Sequence, residues 1–184
     1  MKIPKGGFFN TFIKPSCYFS FMPKKEKSDI EELKKGYLKI QKKYNLPDFQ
    51  ILNEEFQIES IADSETEILI REVRKIMAGK FSNYLRFIEI LIHPINAPMS
   101  ALSIVKLLTS EDKRRLTESY KKLTRIEVDI IEVDTDFSEK KEAEFIKNSY
   151  KSWLEIKQDV LYVVESIKSS WNNKSDKSRI DYFG

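Results

Sequence analysis

One histidine and one cysteine limit the chemistry this chain of 184 residues can perform. Nucleophilic catalysis needs a base beside a Ser or Cys. His93 stands next to Pro94 at the end of an apolar run, where an imidazole serves as a helix C-terminal cap. Cys17 lies in an aromatic stretch with no base nearby, and one cysteine excludes an internal disulfide framework and a Cys-based metal site. Glu89 and His93 fall four apart, and a di-metal bundle needs two Glu-x-x-His pairs. Asp134, Asp136 and Ser138 fill the first slots of a calcium loop. The glycine at the sixth slot is absent, and Phe145 stands where the bidentate Glu belongs. These acids, with Glu127, Asp129 and Glu132, read as a solvated face. There is no dinucleotide fingerprint and no phosphate loop. The expectation is therefore no catalytic residue, no metal and no cofactor.

Three features point to binding. Lys24, Lys25, Lys27, Lys34, Lys35, Lys39, Lys42 and Lys43 form a basic cluster. Lys35, Lys39 and Lys43 share one helical face, which suits RNA or an acidic protein; a solvated face is the blander reading. The chain ends in Tyr182-Phe183-Gly184, an aromatic pair after the polar stretch NNKSDKSRID, which suits docking into a partner's groove. Lys157 interrupts an apolar stripe. It reads as a lysine snorkelling outward past Leu154 and Val160, or as the partner of a buried acid.

The elements that must carry these residues are helical. Residues 138–171 place Ala143, Ile146, Tyr150, Trp153, Val160, Val164, Ile167 and Trp171 on one stripe, widened by Leu154 and Leu161. Trp153 reads as core and Trp171 as half-exposed. A long helix over 28–44 carries Ile30, Leu33, Tyr37, Ile40 and Tyr44, and Gly36 weakens it. Leu46-Pro47 ends it, and Asp48 caps a short helix to residue 56 that lies across the bundle. A second long helix, 64–92, starts at a cap on Asp63 or Ser64 and ends at His93-Pro94. A short one begins at Ser100 and ends at Leu108. A third long helix, 110–134, opens on a Thr109/Asp112 capping box. Its 126–134 piece is β-branched, yet the three-and-four spacing continues through it. The short link to residue 138 makes the last two long helices an antiparallel hairpin.

The expected fold is thus all-α: an antiparallel four-helix bundle with two short accessory helices. The bundle domain spans 28–172, between an aromatic and basic N-terminal tail, 1–27, and a disordered C-terminal tail, 173–184. Residues 1–21 lack any period, so Met22 reads as the natural start, or else the segment inserts its aromatics into a groove. Intact mass of the native protein decides between them.

The net charge of +3 is carried by the two ends, while the middle is mildly acidic, which weakens a nucleic-acid platform in the core. The longest uncharged run, Ile90–Val105, is too short and polar to span a bilayer. A lone cysteine suits a reducing, cytoplasmic location. LPDF at 46–49, NEEF at 53–56, EKKEAEFIK at 139–147 and the terminal YFG resemble a family of uncharacterised all-helical archaeal proteins. The resemblance covers about 22–184 and favours a start near Met22. It implies an archaeal, cytosolic, helical protein and no catalytic role. The reading is a protein–protein interaction or adaptor protein docking through Tyr182, Phe183 and Gly184. The alternative is a ribosome- or RNA-associated factor using Lys35, Lys39 and Lys43.

Overall fold

A computed structural model describes residues 27–63 and 68–180, with side chains at 29–62, 68–95 and 97–172. The expectations for Met22, Cys17, Lys24, Lys25, a cap on Ser64 and the terminal Tyr182-Phe183-Gly184 fall outside the described residues. Every regular element among the described residues is helical: α1 (Lys27–Tyr44), α2 (Phe49–Phe56), α3 (Leu69–Ile92), α4 (Met99–Val105), α5 (Ser110–Thr135) and α6 (Glu139–Ile180). Two 3-10 turns, Ile58–Asp63 and Pro94–Asn96, join them.

Caps set most of these boundaries. The Asp48 carboxylate accepts from the Gln50 amide at 2.8 Å and starts α2. Thr109 and Asp112 form the reciprocal capping box of α5, which then runs unbroken through the β-branched segment to Thr135. Asn45 and Gln57 adopt positive φ, 53° and 58°, and end α1 and α2. His93 is the C-cap of α3, its amide bonded to the Glu89 carbonyl. One start differs from expectation. The residue before α3 is Ile68, without a side-chain cap, and the 3-10 turn Ile58–Asp63 earlier in the chain buries Ile58 and Ile61.

Helices α3, α5 and α6 pack side by side. Ser82 meets Glu127 and Arg74 meets Asp134, so α3 and α5 run antiparallel. Arg115 meets Asp159 and Lys141 meets Glu132, so α5 and α6 do too. Helix α2 lies over the groove between α3 and α6, burying Phe49, Leu52 and Phe56. Phe56 packs edge-on against Phe81 and tilted against Trp153. Helix α1 packs on α2, the 3-10 turn and α3. A β-carbon on Gly36 would come within 3.2 Å of the Leu69 side chain, so the glycine admits the start of α3.

The inward line of α6 is Glu142, Ile146, Ser149, Trp153, Ile156, Val160, Val163 and Ile167, a repeat of four and three. The stripe expected from sequence shares Ile146, Trp153, Val160 and Ile167 with this line, whereas Tyr150, Val164 and Trp171 fall to one side of it. Ile156 fills the core where Lys157 had left a gap. Helix α6 also continues past Trp171 to Ile180, where the sequence reading began a disordered tail.

Candidate functional site

Polar side chains gather at three places in the packed body. The first joins α2, α3 and α6. Lys157, at the edge of α6, reaches back to Glu55 of α2 at 2.5 Å. The Trp153 indole N–H donates to the other Glu55 oxygen at 2.9 Å. Lys80 donates to the Glu55 carbonyl and lies over the Trp153 ring, 4.5 Å from its centroid. Lys157 is thus the partner of an acid rather than a free snorkelling lysine. Burial pushes the Glu55 carboxyl up. The hydrogen bonds from Lys157 and Trp153 and the charges of Lys157 and Lys80 outweigh it, leaving Glu55 below the usual carboxylate range. Burial lowers Lys80, and the nearby Lys157 adds to that, against the pull of Glu55.

The second place lies where α3 and α6 start and α5 ends. Arg74, buried, donates to Glu142 at 2.9 Å and to Asp134 at 2.6 Å. Glu142 is fully buried and its Oε1 has no partner. Burial raises the Glu142 carboxyl in spite of the opposing Arg74 charge. The third place is at the other end, where buried Asp112 accepts from Thr109 and from Ser166 of α6 at 2.9 Å. Each cluster ties together helices distant in sequence. A cleft of about 310 Å³ between α1, the 3-10 turn and α3 is lined by Leu33, Gly36, Ile61 and Leu69 with Asp29 and Glu32 at its edge. Among the described residues no group of three His, Cys, Asp or Glu could hold a metal ion. No helix among them is long and apolar enough to cross a membrane.

The residues singled out for binding are spread apart. Lys35, Lys39 and Lys43 are exposed on one face of α1. Lys43 is engaged: it pairs with Glu139 at 2.8 Å, and Tyr44 donates to the same carboxylate. Lys35 and Lys39 have no ion-pair partner among the described residues. Lys34 lies over the Phe49 ring. His93 is exposed and meets Tyr120 edge-on, with no nucleophile beside it. Trp153 is core, and Trp171 is 54% exposed.

Sequence reasoning missed Glu55, Lys80, Arg74 and Glu142. For Glu55 a signal existed, because a lysine on an apolar stripe asks for an acid and the segment NEEF supplies two. For Glu142 none did, since a glutamate in the first turn of a helix is ordinary. A scan against protein-family models, a search of curated proteins and a search of solved structures each find no match to this chain.

Proposed function

We propose that this chain is a non-enzymatic interaction or adaptor protein, cytoplasmic, that docks a partner through Tyr182-Phe183-Gly184. The observation that carries this reading is the length of α6. Ser166 meets Asp112 of α5, and the helix runs on from there to Ile180. At 1.5 Å per residue that stretch is roughly 20 Å. Trp171 and Asn172 are exposed on this helix. A short aromatic segment following such a helix suits docking into a partner's groove. In architecture the proposal is an antiparallel four-helix bundle, supported by the antiparallel α3/α5 and α5/α6 pairs, with α1 as the fourth member and α2 and α4 as accessories. It agrees with the resemblance to the archaeal helical family. Deleting residues 180–184 removes a partner from pulldowns in the native host and leaves the melting curve unchanged; retention of every partner contradicts the reading.

A second reading rests on Lys35 and Lys39, exposed on α1 without an ion-pair partner among the described residues, with Lys43 beyond them. It makes the chain a ribosome- or RNA-associated factor. Its mark is binding that falls steeply with salt and is lost when the three lysines become Glu. Lys43 weighs against it, because Glu139 already neutralises that charge.

A further inference from the structure

Helix α6 carries a second seam. Beside the inward line runs another repeat of four and three: Tyr150, Leu154, Lys157, Leu161, Val164, Lys168 and Trp171. Five of these seven positions, over six turns of helix, are aliphatic or aromatic, on a side that α3 and α5 do not fully cover. Leu154 is 41% exposed, Leu161 52% and Trp171 54%, while Tyr150 and Val164 are half-buried. An isolated exposed leucine needs no explanation; a heptad-spaced row does. We infer that this outer seam pairs with the same seam of a second copy of the chain, with the two α6 helices antiparallel.

Charge selects the occupant and the direction. The exposed positions along the outer edge of the seam are Lys151, Gln158 and Glu165, at intervals of seven. Neither Lys151 nor Glu165 has an ion-pair partner among the described residues, although many charged side chains of α5 and α6 do. An antiparallel register centred on Asp159 brings Lys151 beside Glu165 of the second copy, two residues out of line, and the symmetry makes this contact twice. In that register Leu154 meets Val164, Leu161 meets the stem of Lys157, and Lys168 meets the face of Tyr150. A parallel register instead stacks Lys157 on Lys157 and Lys168 on Lys168, like charges facing like. Lys157 enters the antiparallel interface already neutralised by Glu55. The surface is therefore self-complementary only when reversed. The two C-terminal ends would then stand about 60 Å apart, one at each end of the pair.

The test is sedimentation of the full chain, with variants chosen to leave the inward line intact. The unaltered chain sediments as a concentration-dependent dimer. Leu161→Glu sediments as a monomer with an unchanged circular dichroism spectrum. Lys151→Glu and Glu165→Lys each weaken the dimer by about tenfold, and the double exchange restores it. In a Cys17→Ser background, Gln158→Cys cross-links on oxidation while Lys151→Cys alone does not. A full chain that stays monomeric overturns the inference. If removal of residues 1–26 then produces the dimer, that segment occupies the seam instead. A dimer indifferent to Leu161→Glu, or one cross-linked equally by Lys151→Cys, also overturns it.

Discussion

The two seams of α6 are one helix solving two problems. The inner line holds one charged group, Glu142, and it is tied to Arg74 of α3. Along the outer line Lys157 is tied to Glu55, and Lys151 and Glu165 remain without ion-pair partners among the described residues. The inner line is dry, with Ile146 and Ile156 fully buried, whereas the outer line leaves Leu154 and Leu161 in water. The inner line therefore carries the stability of the fold, and the outer line is free to carry binding. The contrast also separates two acids. Glu55 keeps some solvent and three cationic or N–H partners, and its carboxyl lies low. Glu142 has lost its solvent and leaves one oxygen unmet, and its carboxyl lies high.

The largest effect belongs to the inner line. Trp153→Ala removes the ring on which Phe56, Phe81 and Tyr84 converge, and it costs about 3–5 kcal/mol in chemical denaturation. Arg74→Met costs a similar ~3–5 kcal/mol, because Glu142 is left buried without its cation. Adding Glu142→Met to it recovers much of that loss. A loss that stays additive in the double variant breaks the account of Glu142.

Glu55→Gln comes next, at about 1–3 kcal/mol at neutral pH. Its pH dependence follows from the low carboxyl. A group whose pKa is depressed by folding contributes stability that is present above its unfolded value and lost as pH falls through its folded value. The gap between the native chain and Glu55→Gln therefore narrows as pH drops below about 4. A gap that widens toward acid contradicts the pairing with Lys157 and Trp153. Lys157→Met follows with less than about 1 kcal/mol, since its side chain is 41% exposed. The smallest stability change is at the outer line. Leu161→Glu stays within about 0.5 kcal/mol of the native chain, and its effect is on assembly alone.

Much of this fold is legible in the sequence, and the reasons are local. Asp48 and Thr109 with Asp112 sit where cap chemistry demands, and α3 ends before His93-Pro94 as expected, although the cap there is the His93 backbone amide and not its imidazole. The inner line of α6 is legible only in part: Ile146, Trp153, Val160 and Ile167 stand on the expected stripe, but the helix is apolar on two sides and period alone does not tell which side faces in. Glu142 and Ser149 disguise the inner line as a polar one. What satisfies Glu142 is Arg74, 68 residues earlier, a contact that only the tertiary fold creates. The start of α3 at Leu69 is hidden for another reason: Ile68 before it offers no side-chain cap, so no cap chemistry marks that boundary. The candidate site is legible only in part. The exposure of Lys35 and Lys39 follows from the helical pattern, whereas the capture of Lys43 by Glu139 depends on where α1 comes to rest against α6.

The division of α6 into a stabilising and a binding face is tested most directly by sedimentation equilibrium of the native chain and Leu161→Glu, each checked for an unchanged melting temperature. The account predicts a reversible dimer for the first, a monomer for the second, and equal melting of the two chains at a concentration where both are monomeric. Identical association of the two chains, or a Leu161→Glu chain that melts well below the native one under that condition, contradicts it.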